Sequence, residues 1–433
     1  MNSLPRRHFL ALAGAAPFPA LLRAAEPVTS PGELAKAEIW KRFIDKRFNL
    51  LLHYAGLKGE VILPAAEDCR EAKPNGMSWS TPIEDGPFFG GLFLDGLCNR
   101  WRSRRDEESA EAARSIAAGL MTLAGFSKVP GFIPRGIGAD GMSFYPASSE
   151  DQVFPWFYGL WSYLGTELPD TAERTRIKAK LIETGRALAA HQWRVPCSPP
   201  EFGYRGDFLR PVVHDIARLL FLLRAMEWLT GEKSWREEYR MRLDEPIGKV
   251  PRPRRDYLAE GLDFDAQAGG NSRLWTHSMS QAALRVLSDV EDDPATREAF
   301  RAALLASARR ALTYLERGRA YDHENELPFE VDWRFLNAAW KPQANCDEAI
   351  ALGRAQLPLW AEHNPRSPWE DETMREPLFA AWIVLLANDP DLNTSHATAI
   401  RELVSQYDWT GLYTASFFIA VNLEYESFRP SAF

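Results

Sequence analysis

Two neighbouring acids stand where a helix has to begin. In "STPIEDGPFFGGLFLDG" (Ser80–Gly96), Glu84 and Asp85 precede Gly86 and Pro87, and an apolar, glycine-laced run containing a third acid, Asp95, follows. Proline is tolerated only in the first turn of a helix, where its missing N–H leaves no bond unmade. Pro87 therefore makes Gly86 the expected cap and leaves Glu84 and Asp85 just outside. The pattern returns in "SSEDQVFPWFYGLW" (Ser148–Trp161), where Pro155 puts Glu150 and Asp151 in or before the first turn, with Asp151 itself a candidate cap. Pro211 places His214 and Asp215 near the start of a third apolar run, and Pro368 places Glu370 and Asp371 at a fourth. An acid at a helix N-terminus is stabilising by about 0.3–1 kcal/mol through the dipole and free amides, with or without chemistry. Two carboxyls facing one bond can do more. One, its pKa raised, donates a proton while the other activates water or steadies positive charge, the division of labour glycoside cleavage commonly uses.

On this reading Asp85, Asp151 and His214 are the candidate catalytic residues, and Glu84, Asp95, Arg135, Glu150, Trp156, Asp215 and Trp275 the candidates for substrate binding. Each also has a purely structural reading. "SPWE" (Ser367–Glu370) fits a capping box, which makes Glu370 structural. His214 is either a base or a hydrogen-bonded core histidine. Asp95 lies inside its helix, where an unpaired buried acid is costly, so it faces a wet lumen or pairs with a cation. Trp79, Trp156 and Trp275 fall near helix entrances, where an aromatic face can receive a sugar ring; most other tryptophans have core spacing. Arg135, in the glycine-rich connection Gly131–Gln152, is placed either to bind a carboxylate or hydroxyls or to pair with a nearby acid.

The elements that must position these residues are helices. Helical spacing dominates and strand-like alternation is scarce. A first helix is expected over Glu33–Leu52, followed by pairs: Pro87–Trp101 with Glu107–Leu123, Phe154–Leu164 with Thr171–Trp193, Pro211–Leu229 with Lys233–Leu243, Thr276–Leu287 with Thr296–Leu315, and Pro368–Leu386 with Thr398–Tyr407. A last apolar run is Tyr413–Leu423. The first member of each pair is apolar nearly all round and belongs inside; the second is amphipathic and belongs outside. This alternation fits an all-α fold, an (α/α)6 toroid forming one large domain over residues 26–433. If each outer helix runs back, all inner helices open their N-termini at one mouth, and acids 66 positions apart, Asp85 and Asp151, meet there.

Composition narrows the function classes. The 433 residues carry 45% hydrophobic, 12% aromatic and 25% charged residues, enough for a sizeable core and ordinary for a globular chain. Residues 1–25 combine Arg6 and Arg7, the apolar stretch Leu10–Leu22 and the small pair Ala24-Ala25, the layout of an export signal and too short for a membrane span. Its removal would take three arginines and no acid, leaving 48 basic against 59 acidic residues and a net charge of −11. Nucleic acid, whose affinity rests on Lys and Arg neutralising phosphates, is a poor partner. No membrane partner is expected. Cys69, Cys98, Cys197 and Cys346 are too scattered for a metal motif, and their three possible connectivities stay open, with Cys98 expected buried and free. "GIGADG" (Gly136–Gly141) does not match a phosphate loop, so no cofactor or metal is expected.

Two motifs carry a resemblance. "EDGPFF" (Glu84–Phe89) and "SSEDQVFPWFYGLW" each resemble the aspartate-bearing helix entrance of the six-hairpin glycosidase superfamily, particularly its unsaturated glucuronyl and rhamnogalacturonyl hydrolases. The resemblance implies the toroid, makes Asp85 the counterpart of the first aspartate, and makes Asp151 the general acid and base. The first entrance departs from the family in carrying Glu-Asp where His-Asp is usual. "PRRHFL" (Pro5–Leu10) resembles the twin-arginine signal, which implies a bacterial protein exported folded, periplasmic or secreted. The expected function is hydrolysis of a glycosidic bond in an oligosaccharide or polysaccharide fragment. The alternatives are a lyase acting beside a uronate, with Tyr145 or His214 as base and Arg135 neutralising the carboxylate, and a non-catalytic glycan-binding toroid.

Overall fold

Apolar runs too continuous to leave one polar face become helices buried on every side. The structure, a computed structural model, describes residues 29–264 and 273–430. The export signal expected over residues 1–25 lies outside the described residues. In chain order the helices are α1 (Pro31–Arg42), α2 (Ala66–Glu71), α3 (Gly86–Arg104), α4 (Glu107–Leu123), α5 (Glu150–Leu164), α6 (Thr171–Ala190), α7 (Val213–Thr230) and α8 (Lys233–Asp244). They continue with α9 (Arg254–Leu258), α10 (Leu274–Val290), α11 (Pro294–Leu315), α12 (Cys346–His363), α13 (Arg366–Glu370), α14 (Glu376–Leu386), α15 (Pro390–Ser405) and α16 (Ile419–Tyr425). Strands among the described residues are confined to three two-stranded ribbons. The chain is thus predominantly helical. No described helix is long and apolar enough to cross a membrane.

The helices divide by burial as their patterns dictate. α3 is buried without a break from Gly86 to Arg100, and α14 from Glu376 to Val384. By contrast α6 buries only Ile177, Leu181, Thr184, Gly185 and Leu188, one stripe at helical spacing, and α15 only Ile400, Leu403 and Val404. The buried helices touch in succession: α3 against α5, α7 against α10, α10 against α14, α14 against α16, and α16 back against α3. α5 meets α7 through Phe154 and Trp161 on Phe221, with ring centroids 5.5 and 5.0 Å apart. The striped helices lie on them, α4 on α3, α6 on α5 and α7, α8 on α7, α11 on α10 and α14, α15 on α14, and α1 on α16. α3 and α5 approach backbone to backbone: a Cβ at Gly91 would stand 1.9 Å from the carbonyl oxygen of Pro155.

Several boundaries differ from the sequence reading. The first helix stops at Arg42 rather than Leu52, and Ile44–Asp45 pairs with Leu50–Leu51 in a hairpin whose turn holds Asn49 at φ 55°. Asparagine tolerates that left-handed conformation, which breaks the helical repeat. α12 was not anticipated. Its apolar residues Leu357 and Leu359 face solvent and Pro358 interrupts it, so no single stripe announces it. Residues 366–386 form one helical run that widens into a π turn over Asp371–Arg375.

Candidate functional site

Asp85 occupies the N-cap position of α3, correcting the expectation that Gly86 does; Pro87 stands one residue further into the helix than an N1 proline. Its carboxylate caps no backbone amide. Instead it lies 2.9 Å from His53 Nδ1, accepts a 2.6 Å bond from Gln152 Nε2, and stands 3.5 Å from the Arg135 guanidinium, with the side chain 2% exposed. An ionised carboxylate only accepts, so Nδ1 carries the proton in this pair. His53 stacks on Phe89 at 5.4 Å. Burial alone would lower its pKa, but the charge of Glu84 and the bond to Asp85 outweigh this and raise it. The imidazole absent from the first entrance in sequence is thus supplied from a loop 32 positions upstream. No motif marks His53 in the sequence, so the reading missed it.

Glu84 is partly exposed beside this pair. Its carboxylate accepts the Ser80 N–H at 2.7 Å, and its carbonyl accepts from Arg135 Nη1 at 3.0 Å. Burial, then the adjacent charge of Asp85, push its pKa up to about 7. Arg135 is 4% exposed and spans the two entrances: its other nitrogen donates to Ser149 Oγ at 3.0 Å, and its charge is felt with those of Glu84, Asp85 and Asp151. It braces the two entrances, which is the acid-pairing alternative of the sequence, while its buried Nε has no hydrogen-bond partner among the described residues.

Asp151 is the second residue of α5, with Ser149 rather than Asp151 in the cap position. It pairs with Arg218 at 2.8 Å and keeps 29% of its side chain exposed. Burial would raise its pKa, yet Arg218, Arg205 and Arg210 together hold it below the usual aspartate value. Arg218 is anchored by Ser280 Oγ and the Thr276 carbonyl. Next to it Asp215 is fully buried 2.7 Å from Arg210 Nε, and burial drives it up to about 7 despite Arg210 and Arg218. His214 and His277 lie ring to ring at 4.7 Å. Burial lowers both, His277 to about 3, so the two imidazoles are neutral over the ordinary pH range.

The π turn adds a third wall that the sequence reading had noted without assigning. Asp371 pairs with Arg375 at 2.6 Å and keeps 31% of its side chain exposed. Burial raises it, and it lies within the fields of His53 and Asp85. The Arg375 guanidinium lies 4.8 Å over the ring of Trp275, which packs on Phe88 at 5.1 Å. Glu376 accepts the Leu274 N–H at 2.8 Å, and burial pushes it up to about 7. A π turn adds one residue to the helix and re-aims the side chains that follow, which is why such turns recur at functional sites. Asp85, Asp151, Asp215, Asp371 and Trp275 are therefore brought together from the starts of α3, α5, α7 and α10 and from the turn before α14.

Other sequence candidates lie elsewhere or are already engaged. Asp95 is fully buried in a paired network: Ser162 Oγ donates to it at 2.8 Å and Arg429 forms its ion pair. Nine residues past the start of α3 it lies about 13 Å along the axis, near the middle of the helix and away from the charged cluster at its start. Trp156 is wholly buried and its indole N–H donates to the Leu120 carbonyl of α4, leaving no face for a sugar. Glu150 is buried and paired with Arg210, so it holds the wall rather than a ligand. Glu370 makes no capping box; it accepts from the backbone of Tyr413 and Thr414 and pairs with Arg366. Tyr145 is buried, and its hydroxyl donates to the Lys73 carbonyl. Compared with known proteins, the chain matches no family model, no curated protein and no solved structure.

Proposed function

We propose that this chain is a glycoside hydrolase of six-hairpin, (α/α)6 toroid architecture, acting on an oligosaccharide at the charged cluster. The toroid is supported by the closed succession of buried helices α3, α5, α7, α10, α14 and α16, each backed by a striped one. The catalytic reading is carried by one observation. Two partly exposed carboxyls, Glu84 and Asp151, lie in the field of the same buried guanidinium, Arg135, and are driven in opposite directions, Glu84 to about 7 and Asp151 below its ordinary value. Oppositely displaced carboxyls are what acid and base roles need. Glu84 is then the proton donor to the leaving oxygen, and Asp151 the carboxylate that activates water or steadies developing positive charge. Asp85, buried and committed to His53 and Gln152, acts on Glu84 by raising its pKa. The family resemblance implies Asp151 as both general acid and base. A carboxyl surrounded by Arg205, Arg210 and Arg218 holds its proton poorly, which argues for moving the acid role to Glu84.

Trp275, held by Phe88 and Arg375 beside Asp371, is the aromatic platform best placed for a sugar ring. In the lyase alternative, the bond of the Tyr145 hydroxyl to the Lys73 carbonyl favours His214 over Tyr145 as the base. The test is a panel of oligosaccharides with products weighed by mass spectrometry. Products heavier by one water support hydrolysis; an unsaturated product without water uptake means elimination; binding without cleavage means a glycan-binding toroid. Glu84→Gln and Asp151→Asn should each keep the melting temperature within a few degrees and lose about 10²–10⁴-fold in turnover. Full rate in either variant removes that residue from the chemistry.

A further inference from the structure

Behind the charged cluster two thiols from distant parts of the chain meet. Cys197 follows the strand Arg194–Pro196, and its N–H donates to the Gly203 carbonyl at 2.8 Å. Cys346 is the first residue of α12. Both are buried, at 0% and 2% exposure, and packed in one small apolar cluster with Met77, Ala147, Phe202 and Ala349. The surroundings hold them there. Gly76 accommodates the two segments at once, since a Cβ on it would lie 3.0 Å from Ala349 and 3.1 Å from the Phe202 ring. Its N–H donates to Gln343 at 2.7 Å, and Ser198 N–H donates to the Pro146 carbonyl at 2.9 Å. Cys69 packs in a separate cluster with Leu52, Ile83 and Tyr145, and Cys98 in the main core. Of the three connectivities open in the sequence, geometry brings one pair together.

We propose that Cys197 and Cys346 are a disulfide-forming pair, oxidised by exchange with a small disulfide of the glutathione class. Cys346 is the first attacker, because it is the first residue of α12 and a thiol at a helix N-terminus is favoured as thiolate. Its thiolate attacks one sulfur of the oxidant, the oxidant's S–S bond breaks, and one glutathione leaves as thiolate. The Cys197 thiolate then attacks the Cys346 sulfur of the mixed disulfide and expels the second glutathione. The protein loses two hydrogens and the oxidant is reduced to two thiols. Because both cysteines are buried, exchange takes place while the chain folds, before α12 closes over Cys197. The bond staples α12 to the segment that carries Arg205 and Arg210, two of the arginines that hold Asp151 ionised.

The test uses the full chain, unfolded in denaturant and refolded in a buffer of oxidised and reduced glutathione, then acid-quenched, alkylated and mapped as peptides. The expected result is one cross-linked peptide pair joining Cys197 to Cys346, lighter by two hydrogens, with Cys69 and Cys98 alkylated. The refolded protein should also melt at a lower temperature once dithiothreitol is added, and Cys197→Ser or Cys346→Ser should abolish that response. The double variant Cys69→Ser/Cys98→Ser should keep the cross-link. Four alkylated cysteines after equilibration, or a cross-link through Cys69 or Cys98, overturns the proposal, whatever the chain's activity on glycans.

Discussion

At the scale of single residues, the cluster separates groups that titrate near neutrality from groups locked on either side of it. His53 and Glu84 are raised, Asp151 is lowered, and His277 is neutral down to about 3. If Glu84 delivers the proton, activity falls as pH rises through about 7, while its acid limb lies below the usual aspartate value because Asp151 stays ionised. A pH–rate profile with its alkaline limb near 7, lost in Glu84→Gln, would bear this out; a limb unchanged by that substitution would assign the proton elsewhere. His53 can be followed directly. In a histidine NMR titration it should titrate above 6.5, and Asp85→Asn should shift it downward by removing the carboxylate charge that favours the imidazolium.

At the scale of elements, two features decide whether the helix starts stay in register. The contact between α3 and α5 depends on Gly91, where any Cβ meets the Pro155 carbonyl at 1.9 Å. Gly91→Ala, normally favourable within a helix, is therefore expected to destabilise by about 1–3 kcal/mol and to weaken activity by moving Asp85 relative to Asp151, with thermal melts and turnover as readouts. Away from the helix starts, Arg429 closes the interior by pairing with Asp95 and Glu426 and donating to Tyr158. Arg429→Met leaves Asp95 buried without its cation and should cost roughly 3–5 kcal/mol in denaturant unfolding. Because Arg429 also pairs with the buried Glu426, the triple change Asp95→Leu/Glu426→Gln/Arg429→Met should recover most of that loss, with no uncompensated charge remaining. Failure of that recovery would show that the network contributes more than charge balance.

For the molecule as a whole, the shifted groups set a stability window. Glu84, Asp215 and Glu376 have folded-state values near 7, above their ordinary values of 4.5, 3.8 and 4.5. Their contribution is complete when they are protonated in both states and is lost as pH rises through about 7. Asp151 has the opposite sign: its contribution is present above 3.8 and is lost as pH falls through its depressed value. Melting temperature should therefore peak at about pH 4 and decline from there to about pH 7, as the three carboxyls ionise in the unfolded chain but stay protonated in the folded one. Glu376→Gln, which removes a buried carboxyl whose displacement corresponds to on the order of 3 kcal/mol, should flatten the decline. A melting temperature that climbs from pH 5 to 8 would contradict this balance.

Helix type and helix starts were legible in the sequence because they depend on neighbours within a few turns. The apolar fill of α3 and α7, the stripe of α6, and the prolines Pro87, Pro155 and Pro211 all act locally, and they placed Glu84, Asp85, Asp151 and His214 at or beside helix starts within a residue or two. What a buried charge meets is a different kind of fact. Whether Asp95 faced water or a cation was settled by Arg429, 334 positions away, and whether Arg135 was free or engaged was settled by Glu84 and Ser149. His53 and Asp371 reach the cluster only because a hairpin and a π turn fold back on helices far along the chain. Desolvation and Coulomb fields depend on distance in space, which local sequence spacing does not encode, so the acids could be found in the sequence while their protonation and partners came only with the tertiary fold.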